Sequence, residues 1–172
     1  MRKQTGFTIV ELLIGIALIA TVTAIAVPNF ISWLPNFRLR SASQDLLSNF
    51  QKAKLAAIKG NVNVAVCFKS DNSGYTAFVD TDADYANDGE EVVADVAWDN
   101  YKSLVVNLDL DNTFYRPAPG DPACMAFQST GIPLDGSAGG FASVPSREAQ
   151  ISNTNGRSTK VVVSPAGSVY LE

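Results

Sequence analysis

Apolar and polar residues follow three successive patterns along this chain. From Phe7 to Val27 the run is apolar with a single charge, Glu11. About 20 such residues span a bilayer as a helix. From Arg38 the spacing changes: Leu39, Ala42, Leu46, Phe50, Ala53 and Ala57 recur at steps of three or four, with Leu47 and Ile58 widening the stripe. Arg40, Gln44, Lys52 and Lys59 fall off it, which is the pattern of an amphipathic helix. Pro28 and Pro35 each remove an intrahelical donor and are expected to kink the rod. Gly60 is the expected C-terminal stop. A helix over Phe7 to Lys59 is about 80 Å long, and only its second half can pack on a globular domain.

Beyond Gly60 the period shortens to that of β-strands. Val62 to Phe68, Tyr75 to Val79, Glu91 to Val96, Leu104 to Leu110, Met125 to Gln128, Gln150 to Ser152, Lys160 to Val163 and Ser168 to Leu171 are bounded by Gly, Pro, Asn or Asp. Val62, Val64, Val66 and Phe68 face one way. Gly136 to Pro145 reads as a mobile surface loop, because strand patterns resume after it. The inventory predicts an α+β fold in which a long N-terminal helix, half transmembrane and half amphipathic, packs on antiparallel sheets. The expected segments are a leader at 1–6, a transmembrane and assembly helix at 7–37, and a globular part at 38–172 made of helix 38–59 and β-domain 60–172.

Glu11 is the residue to explain, since a carboxylate within an apolar span costs roughly 2.5 to 3.5 kcal/mol. One reading is a single-span anchor whose Glu11 reaches water at the interface. The residues before it narrow the choice. Met1 to Gly6 (MRKQTG) is short and basic, and its small residue precedes the apolar run, whereas a secretory signal places its cleavage site after that run. Cutting between Gly6 and Phe7 leaves the apolar helix as the new N-terminus, with a free amine four residues from Glu11. Gly6, Phe7, Thr8 and Glu11, followed by Leu12, Leu13 and Ile14, resemble the type IV prepilin signature. The resemblance implies that a membrane prepilin peptidase cuts after Gly6 and N-methylates Phe7. It also implies that the Phe7 amine of an adjacent subunit pairs with Glu11, offsetting desolvation in a bundle of helices and setting axial register.

Charge is divided unevenly. Residues 1–59 carry seven Lys and Arg against two acids, net +5, and residues 60–172 carry six against fifteen, net −9, giving the chain its −4. A basic leader holds the N-terminus on the cytoplasmic side. The acidic domain is then expected in the periplasm, the chain being a single-pass protein of the bacterial inner membrane before it enters a filament. The segments Arg40 to Val66, Tyr75 to Asp80 and Lys160 to Leu171 (KVVVSPAGSVYL) resemble the domain shared by H-type pseudopilins of type II secretion and FimT-like minor pilins. DNA-capturing FimT-like proteins carry Gly-Arg-x-Arg near the C-terminal hairpin. The matching place here reads Gly167, Ser168, Val169, Tyr170, without either arginine.

The resemblance implies a structural subunit near the tip of a type II secretion pseudopilus, with a minor pilin priming type IV pilus assembly as the alternative and a DNA-uptake pilin as a third. Its expected partners are other pilin or pseudopilin subunits through the helix, the prepilin peptidase and the inner membrane, with no nucleic acid. No catalytic constellation is visible: the chain has no His, the two Cys are isolated, and no phosphate-cradling Gly loop occurs.

Two further features carry chemistry. Counting Asp80 as first, Asp80, Asp82, Asp84, Asp88 and Glu91 fall at positions 1, 3, 5, 9 and 12, the oxygen-ligand spacing of a Ca²⁺ loop. Position 6 is Tyr85 where that loop wants Gly, and the flanks read as strands, so an acidic connector without an ion is the alternative. No other cofactor is expected. Cys67 and Cys124 lie in β-like segments of a domain placed outside the cytoplasm, where disulfides persist; a bridge and two separate buried thiols are both open.

Overall fold

A computed structural model of the chain describes residues 6–71, 73–101, 104–105, 114–115, 122–134 and 146–172. The leader before Gly6, the loop at 136–145 and the strand expected beyond Val105 lie outside the described residues.

The long helix α1 spans Ile9–Gly60, 52 residues, continuous through Pro28 and Pro35. It begins two residues later than the apolar run suggests because Thr8 is extended and caps it. The Thr8 hydroxyl accepts the Glu11 N–H at 3.3 Å, while the Glu11 carboxylate accepts the Thr8 N–H at 3.0 Å and its hydroxyl at 2.9 Å. Two orphan donors of the first turn are thereby satisfied in a capping box. At the other end Gly60 remains helical. Asn61 takes the left-handed conformation at φ 52°, ψ 40°, and its N–H closes on Ala57 O. Asn supports this because its short polar side chain tolerates the left-handed region better than most.

The two halves of α1 live in different surroundings. Its most apolar window, in the N-terminal half, is wholly unburied in the single chain, with Ile9, Leu18, Ile25 and Phe30 all exposed. From Leu39 one face is buried, at Leu39, Ala42, Ser43, Leu46, Asn49, Phe50, Ala53 and Ala57. The six-residue predicted stripe is buried with Ser43 and Asn49 added, but Leu47 is only half-buried and Ile58 is exposed, so neither widens it as expected.

Among the described residues nine strands follow: β1 (Asn63–Phe68), β2 (Gly74–Asp80), β3 (Val92–Ala97), β4 (Leu104–Val105), β5 (Ala123–Phe127), β6 (Pro133–Leu134), β7 (Arg147–Asn153), β8 (Ser158–Val163) and β9 (Val169–Leu171). They form two antiparallel sheets, β3-β2-β1-β5-β6 and β4-β7-β8-β9. This is the expected α+β arrangement. β7 is longer than expected because its inward positions alternate Arg147, Ala149, Ile151 and Asn153, and a charge and an amide at the ends mask the apolar period. β6 is two residues long and gives no period to read.

α1 packs on both sheets. Phe50 meets Phe68 and Phe127, each with ring centroids 6.4 Å apart, and an aromatic chain continues through Tyr75 and Trp98 to Tyr101. Val64, Val66 and Phe68 point to this core, with Val62 packed against it, while Ala65 and Cys67 point to the opposite face of the sheet. That second face forms its own small cluster with Phe78, Cys124 and Ala126, covered by Tyr85 and Leu134.

Two tyrosines tie the helix to the sheet by polar contacts. Asn49 Nδ2 donates to the buried Tyr75 Oη at 2.7 Å, and Tyr101 Oη donates to Asp45 Oδ2 at 2.9 Å. Burial pushes the Tyr75 hydroxyl far above its ordinary range; burial and then the Asp45 carboxylate push Tyr101 up to about 12. Both folded values exceed the unfolded value of about 10, so this stabilisation is complete below about pH 10 and is lost as pH rises through the folded values. In an alkaline ultraviolet titration, two of the five tyrosines are expected to ionise last, together with unfolding. Replacing Tyr101 with Phe should remove one of them from the late phase.

Candidate functional site

The N-terminal end of α1 presents the processing and assembly residues. Phe7 is 86% exposed and precedes the Thr8 cap, so the Gly6–Phe7 bond lies outside the helix. Among the described residues nothing would crowd a Cβ at Gly6 within 4 Å. Glu11 lies in the first helical turn, at the last position of the box, and its carboxylate is held by its own chain through Thr8. Negative charge is favoured there by the helix macrodipole. Sequence reasoning placed Thr8 in the signature but did not foresee that Thr8 and Glu11 cap each other. The pattern Thr-x-x-Glu before an apolar run is itself the signal.

The globular part is anchored to the helix where the exposed half ends. Asn153 Nδ2 donates to Asn36 Oδ1 at 2.8 Å, and Asn155 Nδ2 donates to the Ser32 carbonyl at 2.9 Å. Both come from the β7–β8 turn. At the far end Lys54 Nζ donates to Gly167 O at 2.9 Å. Gly167 sits in the β8–β9 turn at φ +79°, and a Cβ there would lie 2.1 Å from the Gly131 carbonyl. Its glycine is thus fixed by the packing of two turns against the helix. Tyr170 is 47% exposed on β9.

The acidic segment forms the β2–β3 loop, and the hairpin register decides which carboxylates meet. Phe78 pairs with Val92, and the Val79 N–H bonds Glu91 O at 2.9 Å. Asp80 therefore stands opposite Glu90, one step beyond the ladder. Asp80, Asp82 and Glu90 each bring an oxygen within 4.8 Å of the others. Of the five residues expected from loop spacing, the structure brings Asp80 and Asp82 together, joined by Glu90: Asp84 Oδ1 accepts the Ala86 N–H at 2.7 Å, and neither Asp88 nor Glu91 belongs to the converging group. Glu90 was missed because the loop count ran along the chain, whereas antiparallel pairing runs across it.

Asp82, Asp84, Asp88 and Glu91 are exposed, whereas Asp80 itself is only 1% exposed. Burial pushes its carboxyl above the usual range, with the Ala83 N–H opposing and the Glu90 charge reinforcing the shift. Ala83 and Tyr85 both take positive φ, at 64°, which turns the loop back so that Tyr85 covers Cys67 and Cys124 and packs on Tyr115 at 5.0 Å.

Cys67 on β1 and Cys124 on β5 are directly opposed in the ladder and joined as a disulfide, 57 residues apart. Among the described residues there is no free cysteine.

The family model described as Type II transport protein GspH matches residues 42–167, and that described as Prokaryotic N-terminal methylation motif matches residues 1–27. The chain belongs to the GspH family of type II transport proteins. No curated protein matches its sequence. Two crystal forms of the Pseudomonas aeruginosa PAO1 type IV minor pilin FimU share its fold. In one the TM-score is 0.52 at 16% identity, covering 78% of this chain and 92% of FimU; in the other it is 0.51 at 16%, covering 80% and 90%. The protein is thus a minor pilin or pseudopilin, a structural and membrane-anchored subunit rather than an enzyme.

The disulfide gives a stability test. A bridge across this separation contributes about 4 kcal/mol in the chain-entropy model. Urea unfolding of the full chain in detergent, with and without reductant, is expected to differ by about that amount, and a Cys67→Ala, Cys124→Ala double variant should be insensitive to reductant.

Proposed function

We propose that the protein is a minor pseudopilin of a type II secretion pseudopilus, built into a short periplasmic filament through α1 after cleavage between Gly6 and Phe7. The observation that carries this reading is the match of residues 42–167 to the type II transport protein GspH. The exposed apolar half of α1 first lies in the inner membrane, with the acidic domain on the periplasmic side. Extraction into a filament replaces lipid by the helices of neighbouring subunits. Glu11 then exchanges the Thr8 box for the Phe7 amine of the next subunit, and this charge pair sets the axial step. The filament acts as a piston or scaffold that moves folded substrates through an outer-membrane pore.

A second reading, a minor pilin that primes type IV pilus assembly, is favoured by the likeness to FimU, a type IV minor pilin. Deleting the gene in the native host separates the two. Loss of secreted proteins from the medium with pili intact supports secretion, and loss of pili with secretion intact overturns it. DNA uptake is disfavoured: Ser168 and Tyr170 stand where arginines would be, Arg147 is buried, and residues 60–172 carry a net charge of −9, which repels phosphate.

Intact-mass measurement of assembled protein should give a chain beginning at N-methylated Phe7; retention of Met1 to Gly6 would contradict the processing assignment. Glu11→Leu should insert into the membrane at least as well as wild type, since a charge leaves the bilayer. Its incorporation into filaments should fall by about tenfold or more, read by shearing and immunoblotting, if the pair contributes at least about 1.4 kcal/mol.

A further inference from the structure

The β2–β3 loop holds an arrangement that filament assembly does not use. Asp80 and Glu90 face each other across the hairpin just beyond its last paired residues, and Asp82 completes the group within 4.8 Å. Like charges directly opposed across strands destabilise a hairpin. Among the described residues, Lys69 pairs with Asp95 and Lys160 with Glu148, and no ion pair to Asp80, Asp82 or Glu90 is seen.

An independent observation points to a ligand. Asp80 is 99% buried, being 1% exposed, and its Oδ2 has no hydrogen-bond partner, while Oδ1 is committed to the Ala83 N–H. Glu90 repeats the division: Oε1 accepts the Thr81 N–H and hydroxyl, both at 2.7 Å, and the buried Oε2 accepts nothing. Buried polar atoms are almost always satisfied, and an unpaired buried carboxylate oxygen is costly. Two such oxygens at one hairpin base share one deficit, positive charge.

We propose that Asp80, Asp82 and Glu90 form a Ca²⁺ site that clamps the two ends of the β2–β3 loop. The donors are all hard oxygens, which suit Ca²⁺, Mg²⁺ or Mn²⁺ rather than Zn²⁺ or Cu²⁺. Ca²⁺ holds its ligands at about 2.3–2.6 Å in irregular geometry, so any two lie within about 5 Å, whereas Mg²⁺ demands a tighter octahedron and dehydrates reluctantly. An irregular loop with three residues at positive φ, Ala83, Tyr85 and Gly89, fits the first description. With the ion in place, Asp80 and Glu90 attract a common partner instead of repelling each other, and Tyr85 is held over the Cys67–Cys124 bridge. A proton shared between Asp80 and Glu90 is the competing account.

The test uses the full chain in detergent, stripped with EDTA and titrated calorimetrically with Ca²⁺ alone and with Mg²⁺ alone. We expect one Ca²⁺ per chain, affinity for Ca²⁺ at least about tenfold above that for Mg²⁺, and a melting temperature raised by Ca²⁺ over EDTA. Asp82 is exposed, so Asp82→Asn should melt like wild type in EDTA yet bind Ca²⁺ about tenfold more weakly. Glu90→Gln should weaken binding likewise. No saturable Ca²⁺ isotherm at millimolar concentration would overturn the site in favour of the shared proton. Equal Mg²⁺ affinity, or binding unchanged in both variants, would overturn the assignment of ion or residues.

Discussion

Everything in this molecule depends on one continuous helix serving two solvents. A single hydrogen-bonded rod from Ile9 to Gly60 is fully satisfied along most of its backbone, which is the condition for crossing lipid. Side chains alone decide where it is at home. Through Val27 they are mostly apolar and unburied; from Leu39 on they alternate, and one face is buried against sheet. The β-domain covers that second stripe. The first half is left for a bilayer or for other helices.

The legible part of the fold was that carried by local period. Leu39, Leu46 and Phe50 fell on the helix stripe, and Val64, Val66 and Phe68 on one strand face, because burial on one side imposes a period of 3.6 or 2 directly on the sequence. Ends were less legible. The helix start depends on a side-chain cap at Thr8 and its end on the conformation of Asn61, and neither is an apolar signal. The acidic loop was legible as a concentration of carboxylates but not as a geometry. Which ones converge is set by a ladder linking residues far apart in sequence, so Glu90 entered and Asp84, Asp88 and Glu91 left. The burial of Asp80 was not legible for the same reason: the loop turns back through positive φ at Ala83 and Tyr85, neither of them a glycine that would announce the turn.

Family membership and fold likeness answer different questions. The GspH match extends over most of the globular part and fixes the class of subunit. The FimU likeness, at 16% identity, reports that the same helix-on-sheets plan serves a type IV minor pilin. The machinery joined by such a chain is therefore encoded in surfaces around a common plan. On this chain those surfaces are acidic, and the two turns nearest the helix, β7–β8 and β8–β9, present amides and small residues, with Arg157 the one arginine in them.

The attachment of the domain to α1 also has a mechanical meaning. Polar contacts hold the domain from Ser32, through Asn36, Asp45 and Asn49, to Lys54. Twenty-two residues of helix separate the first from the last, about 33 Å of rod. A force directed along the helix axis therefore loads these contacts and the apolar seam between them in shear, all at once, instead of peeling them one after another from an end. Shear loading makes the weakest contact share its load with its neighbours. A subunit built this way is strong along its own axis and comparatively weak to a sideways pull on its domain.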